Sequence, residues 1–540
     1  MFKHTKIAMS AVLLAGMGCG QDVAAVAVDE SGTSAQVLIF PYYNVNNNFQ
    51  TTFQIRNSKN EYKSVKLRFR ESKYSNDVLD FSIYMSPYDV FTIGLVKDAE
   101  GKARMLTTDK TCTHPVIPAQ GVQLKGDFYT HTNDATTLEG YMEVIEMGVI
   151  EDGKPQGANN TMYEGIKHIF AGANGYVPKD CSVVSTAWKT GYFTQGGAYA
   201  DVANFTIAGK TLAGFYSNEL PDNPTPGIPD HIFAPTGGLS GYAVLIDVAQ
   251  GSAYEMQPVA LRNYQHTHAQ HYLSYDPDFQ LLPSFASGND TTSVIARDDG
   301  KGSVVNNWSF VQADWGLSDP FVAPDGYIPS GINPFPIADV LAAIGLQNDF
   351  FTNTFFSGAT DWILSFPMRK HGIFNNYRFG GNTNLVPATS TSPEIFAIPR
   401  FSPLSPAFSQ DVKFNIVLRN REEQDILQKT EILDKEVNVL SFVNPNNLFG
   451  RTVTGSTFAK QIVVDNAFNE GFAQLTFDGP YNLASLGNNG WLKNIANSNT
   501  VGVPVLGFAL IRGTITPNSQ NTIGDAIPHV FTRIHGNRDL

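Results

Sequence analysis

Between residues 49 and 85 the side chains alternate so regularly that few folds remain open. Phe53 and Ile55 alternate with Gln54 and Arg56. After a polar turn at Asn57-Ser58-Lys59-Asn60, Val65, Leu67 and Phe69 alternate with Lys66, Arg68 and Arg70, and Leu79, Phe81, Ile83 and Met85 with Asp80, Ser82 and Tyr84. A period of two places each set on one face of a strand. Short polar turns make neighbouring strands antiparallel, and their apolar faces require a second sheet to cover them. The outward row Lys66, Arg68 and Arg70 then reads as a solvated face that discourages aggregation. Contact with an anionic partner is the other reading.

This run is preceded by Leu38-Ile39-Phe40-Pro41, and a similar signature returns as Leu364-Ser365-Phe366-Pro367. Each is followed by an alternating strand closed by Arg-Asn and a charged turn. The first ends at Arg56-Asn57; the second runs through Val412, Phe414, Ile416 and Leu418 to Arg419-Asn420. Two explanations stand: an internal duplication, or two sandwiches without common origin. The longer spacing in the second copy implies an insertion near residues 370–410.

Further strands are expected at Glu139 to Gly148, at Tyr242 to Val248 (a nearly continuous apolar run, buried on both sides), and near 437–443, 461–464, 472–477 and 503–512. Proline-rich sequence from 262 to 335 weakens the pattern. After Pro336, Ile337, Val340, Leu341 and Ile344 recur at helical spacing, and Gly345 offers a stop. The fold class is therefore mainly β: two antiparallel β-sandwich (Ig-like) regions, a loop-rich connector and one or two short helices. The expected boundaries are 1–27 for a signal peptide, 28–261 for an N-terminal sandwich, 262–358 for the connector and 359–540 for a C-terminal sandwich.

The leader supplies the compartment. Lys3, His4 and Lys6 precede a short apolar core, Ile7 to Met17, and Ala25-Val26-Ala27 fits an A-x-A cleavage site, with Val23-Ala24-Ala25 the weaker alternative. Such a segment is too short to span a bilayer and reads as a secretory signal peptide. Gly18-Cys19 also permits lipidation, although Gly16 stands where a lipobox wants an aliphatic residue. The expected location is secreted, periplasmic or at the cell surface, with no transmembrane segment after cleavage. Cleavage leaves Cys112 and Cys181, which in an oxidising compartment pair as a disulfide stabilising the fold by roughly 4 kcal/mol. Two buried thiols are the alternative.

Composition narrows the partners. Charged residues are 16% of the chain and the net charge of −13 is dispersed. No basic stripe exists to neutralise phosphates, so nucleic acid is disfavoured.

Motifs for chemistry are sparse. The chain has no H-E-x-x-H, no G-x-S-x-G and no EF-hand loop. Glu143 and Glu146 fall on opposite faces of a regular strand and make a poor acid/base pair unless a bulge realigns them. The sharpest local feature is His266-Thr267-His268-Ala269-Gln270-His271. His266, His268 and His271 could hold Zn²⁺ or Cu²⁺, with Asp276 or Asp278 completing the shell. A polar loop with solvated imidazoles is the alternative. Asp276-Pro277-Asp278, Gly288-Asn289-Asp290 and Asp298-Asp299-Gly300 could bind Ca²⁺, but such pairs are ordinary turn chemistry.

Several stretches together resemble a set of uncharacterised secreted or cell-surface β-sandwich proteins of proteobacteria. They are Leu38 to Tyr43, Val78 to Val90, Gly140 to Gly148, Asp361 to Pro367, Arg421-Glu422-Glu423 and Val503 to Phe508. The resemblance implies an exported surface protein and carries over no functional residue. Two classes follow. The first is a non-enzymatic surface or extracellular protein contacting a matrix component, glycan or protein through loops such as Asn44 to Asn48. The second is a secreted polysaccharide hydrolase using carboxylates from separate loops. The first is favoured.

Overall fold

The computed structural model describes residues 26–73, 75, 77–125, 135–150, 161–185, 205–207, 210–212, 232–233, 235–264, 283, 285, 297–298, 304–305, 337, 340–368, 412–422, 424–446, 452–464, 469–477, 503–514 and 522–533. The protein is mainly β, built from antiparallel sheets. In the first half the principal strands are β1 (Val37–Asn44), β2 (Phe49–Asn57), β3 (Tyr62–Glu71), β4 (Asp77–Met85), β5 (Val90–Lys97), β6 (Ala103–Leu106), β7 (Cys112–His114), β8 (Glu139–Ile150), β9 (Leu239–Asp247), β10 (Ser252–Met256) and β11 (Val259–Arg262). The first sheet has the order β11-β1-β8-β3-β4-β7, and the second β10-β9-β2-β5-β6.

The alternation read from the sequence explains how these sheets meet. In β2, Phe49, Thr51, Phe53, Ile55 and Asn57 are buried while the intervening residues are wholly or partly solvated. Phe53 of the second sheet lies edge-on to Phe40 and Phe69 of the first, at 5.2 and 5.9 Å between centroids. Phe81 and Phe91 bridge the same gap at 6.2 Å. These T-shaped pairs are the geometry that aromatic quadrupoles favour in a sheet-on-sheet core.

The second half repeats the arrangement. Its strands are β12 (Gly345–Phe351), β13 (Ala359–Ser365), β14 (Val412–Asn420), β15 (Asp425–Leu433), β16 (Val437–Val443), β17 (Lys460–Val463), β18 (Glu470–Phe477), β19 (Leu506–Thr514), β20 (Thr522–Pro528) and β21 (Val530–Thr532). The third sheet runs β15-β14-β18-β12-β21 and the fourth β17-β16-β13-β19-β20. Within the fourth, β17 joins β16 in parallel. Phe350 stacks on Phe442, and Phe366 meets Phe477, across the space between these two sheets.

The first and fourth sheets also face each other, so the layers stack in the order second, first, fourth, third. Every residue of β1 and β8 is buried, as is every residue of β13 and β16. One apolar cluster runs from Phe53 and Phe69 through to Ile363, Val439, Leu506 and Phe508, while a second, around Trp362 and Phe442, fills the far half. The two Phe-Pro signatures meet at this seam, where the Ser365 hydroxyl donates to the Pro41 carbonyl. In both halves the signature strand lies in the seam-facing sheet and the next alternating strand in the outer one. The two halves differ after Arg-Asn: β2 passes to β3 in the opposite sheet, whereas β14 turns back into β15.

Three local expectations need correction. Lys66, Arg68 and Arg70 are buried rather than solvated, because the second face of the first sheet is covered too. β9 alternates between buried and partly exposed residues instead of being enclosed on both sides, since it belongs to an outer sheet. Helical backbone is present at Ile337, Val340 and Leu341, but the chain becomes extended at Ala342–Ala343, before Gly345. That glycine opens β12, where a Cβ would fall 2.5 Å from the Leu475 carbonyl.

Candidate functional site

Two polar constructions lie on the inner face of the first sheet. The first is an ionic ladder built by strand register. Glu143 of β8 is paired with Arg68 of β3, which is paired with Asp80 of β4, and the neighbouring row sets Tyr141 beside Arg70 and Arg70 beside Asp77. Arg70 grips Glu143 with Nε at 2.8 Å and Nη2 at 3.1 Å. Arg68 reaches Asp77 at 2.7 Å, Asp80 at 3.3 Å and Glu143 at 3.5 Å, and Lys66 reaches Asp80 at 2.6 Å. Arg68 also donates to the Pro283 carbonyl at 3.0 Å, and Phe285 is buried in the adjoining core. Within the ladder, Lys66, Arg68 and Arg70 thus stand against Asp77, Asp80 and Glu143, three charges of each sign. Burial holds the Lys66 ammonium below its ordinary value, with Asp80 opposing that shift. The anions that a basic row would seek are supplied by the neighbouring strands.

The second construction joins the halves. Glu139, at the start of β8, accepts from the Tyr42 hydroxyl at 2.7 Å and from the Ser456 hydroxyl of the second half at 2.6 Å. Asp361, inside β13, accepts from the Ser441 hydroxyl at 2.7 Å, from the amides of Val453 and Thr454 at 2.9 and 2.8 Å, and from the Thr454 hydroxyl at 2.8 Å. The Asn44 amide donates to the Thr454 carbonyl, and the Val437 amide to the Ser72 carbonyl. Both carboxyl groups are fully buried, and that burial raises their pKa against the pull of their donors. Glu139 and Asp361 also feel each other electrostatically. The arrangement suits fixed acceptors: Glu139 bonds directly across the halves, and Asp361 holds the Val453–Thr454 segment whose carbonyl takes the Asn44 amide. A general acid or base must reach a substrate proton, and these oxygens are enclosed by the seam.

The structure sorts the other residues singled out from the sequence. Cys112 and Cys181 form a disulfide, with Cα atoms 5.2 Å apart. Glu143 and Glu146 serve different faces of β8: the first joins the ladder, while the second accepts from Lys63 at 2.6 Å and from the Thr236 and Gly237 amides. The expected metal ligands His266, His268 and His271 lie outside the described residues, as do Asp276, Asp278 and Asp290. Among the described residues no group of three His, Cys, Asp or Glu side chains is placed to hold a metal ion. Asn44 and Asn46 are buried, and the Asn44 side chain serves the seam rather than an outside partner. Sequence reading passed over Glu139 and Asp361. The available signal was an acidic residue inside, or at the mouth of, an otherwise apolar strand. No known protein family, curated protein or solved structure matches this chain.

Proposed function

We propose that this protein is exported and acts at the cell surface or outside the cell as a non-enzymatic binding or structural component, contacting a matrix, glycan or protein partner. The observation that carries the reading is the sealed seam. The two carboxylates that the fold draws together from separate halves, Glu139 and Asp361, are spent as hydrogen-bond acceptors inside a continuous apolar contact. A stack of four sheets with its centre locked in this way is a rigid body that presents its outer strands and loops. The Cys112–Cys181 bond fits an oxidising compartment, as does the signal-peptide pattern of the leader.

Incubating the purified mature chain with a panel of polysaccharides should release no reducing sugar, and fractionated cells should hold the mature chain outside the cytoplasm. Sugar release would establish the hydrolase instead, and a mature cytoplasmic protein would remove the basis for export.

A further inference from the structure

Beyond the disulfide-tied edge of the first half stands a hairpin, His168–Phe170 paired with Tyr176–Pro178. From His168 to Pro178 it carries no Asp, Glu, Lys or Arg. Its large side chains point outward: Ile169 is 42%, Phe170 67% and Tyr176 72% exposed. Phe170 and Tyr176 are cross-strand partners with rings 5.6 Å apart, so they share one face. Ile169, one residue earlier, lies on the other face. The strand pairs and the Ala171 amide, which donates to the Gly175 carbonyl at 2.7 Å, close the hairpin.

Its base is firmly held. Lys179 donates its amide to the Lys167 carbonyl and Asp180 to that of Gly165, Cys181 is bonded to Cys112, and Tyr163 packs on Tyr62 at 4.4 Å. Lys167 and Lys179 thus form an exposed pair immediately below the uncharged finger. Lys179 lies 3.4 Å from Glu164 but keeps half its side chain in solvent, and Asp180 is exposed beside it.

We propose that this finger inserts into the interface of a lipid bilayer, with Phe170, Tyr176 and Ile169 below the headgroups and Lys167 and Lys179 at the level of the phosphates. Three features favour a bilayer over a protein groove or a sugar face. The protrusion is apolar on both faces, whereas a groove or a pyranose ring engages one. Its tip, Gly172-Ala173-Asn174, holds one polar residue, few for recognising a sugar's hydroxyls. The lysine collar complements anionic phosphates just where insertion would stop. Three residue pairs extend about 10 Å, the depth at which interfacial segments bury their apolar surface; aromatic rings concentrate at that level. The proposal supplies a mode of attachment to the surface protein described above and rests on that reading for its location only.

Flotation of the purified, oxidised mature chain tests it. The probes are phosphatidylcholine vesicles with and without about one-third phosphatidylglycerol. The parent should float with vesicles, more strongly with the anionic ones. Phe170→Ser/Tyr176→Ser should weaken flotation roughly tenfold or more, with an unchanged circular dichroism spectrum and intact disulfide. Lys167→Gln/Lys179→Gln should lose about fivefold per lysine on anionic vesicles alone. A parent that ignores both vesicles, a serine variant that floats equally well, or a finger-dependent dimer in sedimentation without flotation would overturn the proposal. Each of these would leave the surface reading intact, which cell fractionation and the polysaccharide panel decide separately.

Discussion

Asp361 illustrates how a single side chain can be indispensable without being reactive. Four donors converge on it, three of them from Val453 and Thr454. Removing the carboxylate by Asp361→Ala would strand those donors in a buried site, at about 1–3 kcal/mol for each group left unsatisfied. A urea titration should show the midpoint falling by the equivalent of at least about 3 kcal/mol; a loss below about 1 kcal/mol would mean the seam does not depend on it. His529 sets a pH dependence of definite sign. Burial pulls its pKa down to about 3, although the Nε2 contact to the Ile363 carbonyl at 3.1 Å opposes this. Asn348 lies 2.9 Å from Nδ1, so the neutral ring has a partner on each side. The unfolded imidazole takes up a proton near its ordinary 6.5, so between that value and about 3 the unfolded state binds more protons. Stability therefore falls as pH drops through this window, by up to about 1.4 kcal/mol per unit. Glu139 and Asp361 act in the opposite sense. Their raised pKa values make the folded state retain protons that the unfolded state sheds, so their contribution fades as pH climbs out of the ordinary carboxylate range. His529→Gln, which can keep one acceptor and one donor, should flatten the acid side of the stability profile. An unaltered slope between pH 6.5 and 4 would rule out this assignment.

Among elements, β3 shows most clearly where reading a sequence succeeds and where it stops. The alternation of Val65, Leu67 and Phe69 correctly placed the apolar face, because local chemistry fixes which residues share a side. It could not tell that the opposite side is also covered, since Lys66, Arg68 and Arg70 look the same whether their counter-ions are solvent or the carboxylates of β4 and β8. The ladder predicts a non-additive response. Arg70→Ala leaves Glu143, among the described residues, with Arg68 at 3.5 Å, and should cost about 3–5 kcal/mol, whereas Arg70→Met with Glu143→Met should cost much less. Equal losses in the single and double variants, measured by denaturant titration, would show that the pair is not acting as a unit. The Cys112–Cys181 link is an element-scale tether for the finger. Replacing both residues with serine should lower stability by roughly 4 kcal/mol in the chain-entropy account. It should also speed proteolysis around residues 161–185 before the sheets are cut. Simultaneous cleavage of both regions would argue against a local tether.

For the whole molecule, the stacking of the first sheet on the fourth makes the two halves one thermodynamic body. Tyr42 against Phe508, Asn44 to Thr454 and Glu139 to Ser456 all cross the seam, and one apolar cluster includes residues of both halves. Calorimetry should therefore record a single transition whose van't Hoff and calorimetric enthalpies agree; two separated transitions would show that the seam is weakly coupled. Residues 28–261 expressed alone would expose the paired faces of β1 and β8 and should self-associate. The sequence by itself determined the mainly β class, the positions of many strands, the apolar faces of those carrying Phe53, Leu67, Phe81 and Phe414, and the pairing of Cys112 with Cys181. These follow from period-two patterning and residue chemistry, which act over a few positions of chain. Only the tertiary structure decided that the Phe-Pro strands face each other, that Lys66, Arg68 and Arg70 are enclosed, and that Glu139 and Asp361 close a seam. The physical reason is that burial of a second face depends on what arrives from residues hundreds of positions away. A polar side chain does not carry in its own neighbourhood whether water or another sheet will meet it.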